Sequence, residues 1–377
     1  MKTRCPINRW SLCIGLILAT AATSADPITG RLQSQWPNTD FSRHSVALAE
    51  IRSGGPPKDG IPAIDEPRFV SSDEAAGWLQ PEEPVIALNL GDQARAYPLQ
   101  ILIYHEIVND TVAGTPVSVT FCPLCNAAIV YMRRHDGRVL DFGTTGSLRK
   151  SDMVMYDRQT ESWWQQFLGE AIVGELTGSR LDQFPSRIVA FTDFRRSFPD
   201  GLVLSRDTGH QRPYGRNPYR GYDTIGQHPF LLDDPTDPRL PAMERVLGVR
   251  LGESVRLYPF PVLQDKPVLN DRIGKTPVVI FTRFGMLSAL DASRIRDARR
   301  VPAAAAYSRV VDGRLLTFVA RRDRVVDEET GSVWDVFGRA AEGPLSGRHL
   351  EPVQGGVHFA FAWLAFEPRA EIHGSGD

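Results

Sequence analysis

Cysteine is scarce in this chain. Its 377 residues contain four cysteines, at positions 5, 13, 122 and 125, and the first two lie in a segment with the features of a leader. A disulfide between Cys122 and Cys125 would close a loop of about four residues and contribute only ~2 kcal/mol, against ~4.7 kcal/mol for a loop of about a hundred. The spacing of this pair therefore favours chemistry over structural cross-linking.

The chain also lacks an excess of positive charge. Lysine and arginine number 43 and the acidic residues 45, for a net charge of −2. Removal of residues 1–25, which carry three positive charges and no negative ones, leaves −2 − 3 = −5. We find no basic tract, so nucleic acid is not an expected partner. The phosphate-loop pattern fails because Leu269 stands where the first glycine belongs, and we expect no nucleotide cofactor.

Long apolar runs are missing after the N-terminus. Residues 10–22 form an apolar stretch behind a basic head, and small residues precede Asp26. This is the pattern of a cleaved signal peptide, here residues 1–25, and the stretch is short for a membrane span, although an uncleaved anchor is the alternative. The sequence predicts a periplasmic or secreted protein with no integral membrane segment after cleavage, and it indicates no particular partner.

The mature chain repeats itself. Residues 85–91, 96–98, 109–110 and 115–117 match residues 246–252, 257–259, 270–271 and 276–278 at one offset, since 252 − 91 = 161 and 276 − 115 = 161. Residues 157–164 match 327–334 at an offset of 170. We interpret this as a duplication. It predicts an entry segment (26–84), a first repeat (85–205), a Pro/Gly/Tyr-rich connection (206–245) and a second, degenerate repeat (246–373).

Comparison of the two copies distinguishes residues that are expected to build the scaffold of the fold from residues that are expected to form a functional site. Positions that both copies share, such as Asp157, Thr160 and Ser162, are expected to serve turns and core. Positions specific to the first copy are better site candidates. Cys122 aligns with Arg283 and His105 with Lys266, so the second copy is expected to act as a structural partner.

Short alternating segments bounded by Gly, Pro or Asp-Gly predict a mainly β, β-rich α+β fold of two duplicated lobes with antiparallel strands and a few short helices. Strands are expected at 85–90, 94–97, 117–121, 127–132, 139–142 and 153–156. Hairpin turns are expected at Asp136-Gly137 and Asp312-Gly313. Helices are predicted at 99–108, which would carry His105, and at 73–79, capped by the serines before it.

The candidate site joins His105 to Cys122 and Cys125. One imidazole and two thiolates suit a copper or zinc ion, and zinc accepts such a set with an open fourth position. Glu106 is a weak candidate for a catalytic base, because nothing in the sequence fixes its direction. The possible fourth ligands, among which the sequence does not choose, are Met132, Met153, Met155, His135 and His210.

Two alternatives stay open. Cys122 and Cys125 could perform thiol–disulfide exchange, although residues 126–131 read as a strand where a thioredoxin-like domain has a long helix. The chain could instead be a non-catalytic scaffold that binds a ligand or partner through the aromatic residues Trp163, Tyr214, Tyr219 and Tyr222.

Several segments in a fixed order also resemble a known family. These segments are residues 58–65, 94–98, 105–110, 120–125 and 155–162. They are similar to a set of secreted prokaryotic proteins catalogued as a domain of unknown function, DUF3179, and the likeness covers nearly all of 50–373. The resemblance implies secretion and supplies no reaction or cofactor, so the metal prediction depends on ligand chemistry alone.

Overall fold

Short strands and tight turns make up most of the structure. The computed structural model describes residues 33–264, 266–322 and 324–374. Asp136, Gly137, Asp312 and Gly313 all have positive φ angles, as the two predicted hairpin turns require. The expectation of a mainly β fold is confirmed. The proposed signal peptide lies outside the described residues.

The strands of the first half are short and follow one another closely along the chain. In order they are β1 (Ile51–Ser53), β2 (Phe69–Ser71), β3 (Pro84–Leu90), β4 (Gln93–Pro98), β5 (Ile107–Val112), β6 (Thr115–Cys122), β7 (Ala127–Met132), β8 (Arg134–His135), β9 (Arg138–Val139), β10 (Phe142–Arg149), β11 (Asp152–Asp157), β12 (Trp163–Gln165), β13 (Glu170–Val173), β14 (Gln183–Phe184), β15 (Arg187–Ala190) and β16 (Leu202–Leu204).

The second half continues in the same manner. Its strands are β17 (Arg245–Leu251), β18 (Ser254–Pro259), β19 (Val268–Ile273), β20 (Thr276–Leu287), β21 (Arg300–Ser308), β22 (Val310–Val311), β23 (Arg314–Leu315), β24 (Phe318–Arg321), β25 (Arg324–Asp327), β26 (Val333–Trp334), β27 (Ala340–Glu342), β28 (Gly355–Phe359) and β29 (Glu371–Ile372).

Helices of one or two turns join some of these strands. They are α1 (Ser72–Ala75), α2 (Leu99–Leu102), α3 (Phe191–Ser197), α4 (Phe260–Leu263) and α5 (Ala360–Phe366), with 3₁₀ turns at Leu48–Glu50 and Ile295–Asp297. The Ser71 hydroxyl caps α1 by accepting a hydrogen bond from the Glu74 amide over 3.1 Å. None of the helices in the described part of the chain is long and apolar enough to cross a membrane.

The strands follow the same order in the corresponding sheets of the two halves. In the first half the orders are β15-β3-β4-β16-β2, β14-β7-β6-β5 and β1-β10-β11-β12-β13. In the second half they are β28-β17-β18-β29, β19-β20-β21 and β24-β25-β26-β27. Short hairpins, β8-β9 and β22-β23, follow the middle sheet in each half.

Individual hydrogen bonds recur as well. The Tyr97 hydroxyl donates to the Asp110 carboxylate over 2.6 Å, and the Tyr258 hydroxyl donates to Asp271 over 2.7 Å. These residues occupy matching positions in the aligned segments. The shared residues therefore make the same contacts in each half, which agrees with their assignment to the scaffold. The predicted boundaries at 205 and 246 stay predictions.

The last helix of each half packs against the other half. The Ser197 hydroxyl at the end of α3 donates to the Asp335 carboxylate over 3.0 Å. In the opposite direction, the Trp363 ring on α5 lies edge-on to Phe167, with the ring centroids 5.1 Å apart. The described residues from Asn38 onwards accordingly form one compact unit, while residues 33–37 belong to a separate one.

Three of the predicted elements are wrong in part. The helix predicted at 73–79 ends at Ala75, where turns follow. The helix predicted at 99–108 ends at Leu102, and β5 begins at Ile107. The strand predicted at 139–142 is interrupted, because the Arg133 guanidinium donates to the Leu140 carbonyl oxygen and to the Asp141 carboxylate. Because the Arg133 side chain uses these two acceptors, the strand's backbone pairing is interrupted at Leu140 and Asp141.

Residues 206–245 pack against the core without forming a regular sheet. No described element lies between the end of β16 and the start of β17. Tyr214, Tyr219 and Tyr222 are partly buried against the main hydrophobic cluster, which also contains Phe121 and Phe361 from the two halves. Packing of these aromatic residues, together with backbone hydrogen bonds such as that from the Gly221 amide to the Asp291 carbonyl oxygen over 2.7 Å, holds this segment in place.

Candidate functional site

The two thiols lie on one tight hairpin turn. β6 ends at Cys122, which pairs with Ala127 at the start of β7. The Asn126 amide donates to the Pro123 carbonyl oxygen over 3.2 Å, and Asn126 adopts a φ of +50°, which asparagine tolerates better than most residues. Cys122 and Cys125 are both buried and both are free thiols. The turn therefore presents two sulfur atoms to the interior of the first half.

A carboxylate from a different hairpin joins the thiols. Lys150 and Ser151 both have positive φ angles and form the two-residue turn between β10 and β11. This turn places Asp152 at the first position of β11. Potential ligand atoms of Cys122, Cys125 and Asp152 all lie within 4.8 Å of one another, and all three residues are buried.

The Asp152 carboxylate is held by one of its two oxygens. Oδ2 accepts hydrogen bonds from Gln165 Nε2 over 2.6 Å and from the Phe167 amide over 2.9 Å. Oδ1 is buried and accepts no hydrogen bond of ordinary geometry from the described residues. A buried carboxylate oxygen without a donor is unfavourable, and a cation would satisfy it.

Burial changes the acidity of every group in this cluster. It raises the pKa of Cys122 and, more strongly, of Cys125. It raises the pKa of Asp152 to about 6, although hydrogen bonds from Gln165 and Phe167 act in the opposite direction. Burial and the nearby Asp152 carboxylate raise the pKa of Glu106 to about 8. Burial thus disfavours the ionised form of all four groups, and the Asp152 carboxylate raises the pKa of both thiols and of Glu106 further, whereas hydrogen bonds from the thiols lower the pKa of Asp152.

Glu106 occupies a strained position beside the thiols. Its φ is +58°, a left-handed conformation that is uncommon for a residue with a side chain. Its amide donates to the Leu102 carbonyl oxygen over 2.7 Å, and its own carbonyl oxygen accepts from the Phe121 amide over 2.8 Å. Backbone strain of this kind persists when the surrounding structure enforces it, and it is common at functional sites.

A cavity of about 350 Å³ adjoins the cluster. Glu106 is the acidic residue in the lining of this cavity, and most of the other lining residues are apolar. Leu124 of the thiol turn and Met153, next to Asp152, form part of the wall. Tyr219 and Tyr222, which belong to the connection between the halves, form another part of the cavity wall. A mostly apolar chamber with a few polar groups of perturbed pKa is the usual form of a small-molecule site.

His105 does not belong to this cluster, which corrects the predicted ligand set. It lies in the turn after α2, because the predicted helix ends early. Its Nδ1 is 2.7 Å from the Pro62 carbonyl oxygen, and its Nε2 is 2.6 Å from the Tyr214 hydroxyl. Both ring nitrogens are therefore engaged away from the sulfur atoms. Burial lowers the pKa of His105 to about 4.

Of the suggested fourth ligands, the histidines His135 and His210 are not among the residues grouped with the thiols. Met153 lines the cavity, and Met155 is buried in the core. His135 lies edge-on to Trp164, with ring centroids 5.9 Å apart, and the His210 ring is 5.3 Å from that of His105. Met132 lies at the end of β7.

The aromatic residues proposed for ligand binding divide into two kinds. Trp163 is buried and lies edge-on to Phe41, with ring centroids 5.4 Å apart, so it belongs to the core. Tyr219 and Tyr222 line the cavity beside the thiols. Tyr214 contacts His105 instead.

Asp152 was missed in the sequence, although a signal for it was present. It is an acidic residue at the head of β11, all of whose residues are buried. The offset of 170 puts Arg322 opposite it in the sequence (322 − 152 = 170), and the shorter β24-β25 hairpin has no counterpart of it in the structure, so Asp152 is specific to the first copy, as the thiols are. The same criterion that selected Cys122 would have selected Asp152.

Comparison with known proteins gives a family and no activity. No curated protein and no solved structure matches the chain. The sequence profile described as protein of unknown function (DUF3179) matches residues 58–370, which include the thiol turn, Asp152 and the second half. The resemblance found in the sequence is thereby confirmed, and the chain belongs to the DUF3179 family.

Proposed function

We propose that Cys122, Cys125 and Asp152 bind one metal ion in an extracytoplasmic protein. The observation that carries this proposal is the buried group of ligand atoms, all within 4.8 Å of one another, that the two sulfur atoms and the Asp152 carboxylate form. Asp152 Oδ1 accepts no hydrogen bond of ordinary geometry from the described residues, and the thiols that lower the pKa of Asp152 are themselves the proposed ligands. Two thiolates and a carboxylate are ligands that zinc accepts in four-coordinate sites. Copper(I) prefers sulfur to carboxylate oxygen, so zinc is the first choice.

The pKa values support a metal in preference to thiol exchange. Nucleophilic thiols have a lowered pKa, whereas burial raises the pKa of both Cys122 and Cys125. None of the salt bridges in the described part of the chain brings a lysine or arginine to Glu106 or Asp152. A divalent cation would lower the pKa of these groups, because it stabilises thiolate and carboxylate together.

Three protein ligands leave one coordination position open, which is typical of a catalytic zinc site. We propose that this position faces the cavity that Glu106 lines and that the protein acts as a metal-dependent enzyme on a small molecule with an apolar body. A carboxyl group with a pKa of about 8 can exchange a proton near neutral pH, so Glu106 is the candidate general base.

Metal analysis of protein purified from the periplasm tests the proposal. Wild-type protein is expected to hold one equivalent of zinc, and the Cys122→Ser/Cys125→Ser variant none. Asp152→Asn should weaken zinc binding by about 10-fold or more, since even residues that only orient ligands contribute that much. Asp136→Asn, at an exposed position, is the matched control. Cobalt(II) added to the metal-free protein should give thiolate charge-transfer absorption. Equal metal content in the wild type and the double serine variant would refute the proposal.

Thiol–disulfide exchange is the second candidate, because both thiols are free and close together. It predicts a reversible disulfide and reductase activity on an insulin-type substrate in metal-free protein. A thiol titration before and after chelation separates the two functions. Thiols that become reactive only when the metal is removed favour the metal site, whereas equal reactivity with and without the chelator favours exchange.

A further inference from the structure

The second half has its own cleft where the first half has the thiol site. A cavity of about 510 Å³ is lined by residues of β20, β25 and β26. Arg283 stands at the place of Cys122, since 283 − 122 = 161, and Pro267 at the place of Glu106, since 267 − 106 = 161. Both line this cavity. The degenerate copy has therefore exchanged an acidic, thiol-bearing site for one that contains arginine.

A shorter hairpin opens this cleft. In the first half, β10 and β11 pair from Phe142–Asp157 out to Arg149–Asp152. In the second half, β24 and β25 pair only from Phe318–Asp327 out to Arg321–Arg324. The second half thus lacks the hairpin tip that carries Asp152.

Arginine residues supply most of the charge around the cleft. The charged lining residues are Arg196, Arg283, Arg322, Arg324, Asp193, Asp335 and Glu342. Asp193 pairs with Arg283 at 3.5 Å, and Glu342 pairs with Arg324. The remaining carboxylate has other partners, which are Ser197, Arg339 and two backbone amides.

Two arginines remain available for a ligand. Among the salt bridges of the described residues, none involves Arg196 or Arg322. Both line the cleft, from opposite halves of the chain. Unpaired guanidinium groups in a cleft are donors for carboxylate and phosphate oxygens, which they can bind through two parallel hydrogen bonds.

A buried hydroxyl and apolar side chains complete the cleft. Thr282 Oγ1 is buried and has no hydrogen-bond partner among the described residues, and Thr282 lines the cleft. Trp334 and Phe284 also line it, and Phe284 has 44% of its surface exposed. The arginines and the hydroxyl suit an anionic head, and the aromatic rings suit an apolar body.

We propose that this cleft binds a small organic anion, with its carboxylate or phosphate head at Arg196 and Arg322 and its apolar part against Phe284 and Trp334. The second half is then a binding module as well as a structural partner. This site does not depend on the metal site, because the two clefts are lined by different residues.

Calorimetric titration of the full-length protein with benzoate, phenyl phosphate and inorganic phosphate tests the proposal, with benzyl alcohol as the neutral analogue. At least one of the two organic anions should bind more tightly than benzyl alcohol and inorganic phosphate, and its headgroup identifies the preferred anion. The same affinity is expected in the Cys122→Ser/Cys125→Ser variant. Binding of neither organic anion, or equal binding of benzyl alcohol, would overturn the proposal.

Variants then locate the binding. Arg196→Gln/Arg322→Gln should weaken anion binding about 10-fold or more, since it removes two charge-assisted contacts. Arg314→Gln, an exposed arginine in the β22-β23 hairpin, should change nothing. Thr282→Val keeps the shape, removes the hydroxyl and should weaken binding without lowering the unfolding temperature. Unchanged affinity in the double glutamine variant, or in Thr282→Val if the double variant fails to fold, would overturn the proposal.

Discussion

The Phe359 amide donates a hydrogen bond to the carbonyl oxygen of Cys125 over 2.9 Å. Phe359 ends β28 of the second half, so the thiol turn of the first half is fixed from the other half of the chain. The Asn126 side chain extends the contact by donating to the Val357 carbonyl oxygen over 3.2 Å. The second half therefore helps to shape the candidate metal site even though it lacks thiols of its own.

His105→Gln should leave zinc affinity within about 2-fold of wild type, because both ring nitrogens face other partners. The substitution should lower stability, since the contacts with Pro62 and Tyr214 are lost or weakened. A competition titration of zinc against a chelator measures the affinity, with Asp152→Asn as the comparison. A loss in His105→Gln as large as that in Asp152→Asn would restore His105 as a ligand.

Glu106→Gln should remove a pH dependence from the metal-free protein. The folded-state pKa of Glu106 is about 8, against an ordinary value of 4.5. The folded state therefore retains a proton that the unfolded state has released, and the contribution of Glu106 to stability falls as pH rises through this interval. The fall is at most about 1.4 kcal/mol per pH unit.

Urea unfolding of wild-type and variant protein in the presence of a chelator, between about pH 5 and about pH 8, measures this effect. The stability of the wild type relative to Glu106→Gln should decline steadily with pH. A difference that stays constant, or that grows towards high pH, would show that Glu106 ionises normally in the fold.

Gly248→Ala should destabilise the protein by about 1–3 kcal/mol, the usual cost of overpacking a core. A methyl group at Gly248 would overlap the indole ring of Trp363. The first copy has Ala87 at the matching position, with Phe194 in the matching place on its own helix (248 − 87 = 161, 363 − 194 = 169). A smaller ring at 363 should therefore make room for the methyl group.

The double variant Gly248→Ala/Trp363→Phe provides the control. Gly248→Ala should cost less stability in the Trp363→Phe background than in wild type, and thermal unfolding of the four proteins gives the coupling energy. Additive effects of the two substitutions would contradict the predicted overlap.

Asp157→Asn and Asp327→Asn should have similar effects, because the two carboxylates make the same contacts. Each accepts a hydrogen bond over 2.9 Å from an indole, that of Trp164 or of Trp334. Loss of a buried, charge-assisted acceptor costs about 1.5–3 kcal/mol. Urea unfolding should give comparable losses for both variants, and zinc content per folded chain should not change. Zinc loss in Asp157→Asn alone would instead assign that residue to the site.

Local patterns predicted the parts of the fold that local forces decide. Asp136-Gly137 identified a hairpin turn because few other residue pairs tolerate two successive positive φ angles. The short, apolar runs at 85–90 and 127–132, which contain β-branched residues, identified β3 and β7. The helix predicted through residue 108 was wrong beyond Leu102, since β5 pairs with β6 in a hairpin and this strand pairing outweighs a helical pattern.

The sequence by itself determined the mainly β class, the repeated scaffold, the family and the two thiols as the feature specific to the first copy. Only the tertiary structure decided what surrounds those thiols. Asp152, rather than His105, lies beside the thiols because β11 returns next to the thiol turn, and β28 supports that turn from the other half. Chain spacing fixes contacts between neighbours along one hairpin, whereas contacts between hairpins depend on how whole sheets pack, and residue spacing does not encode that packing.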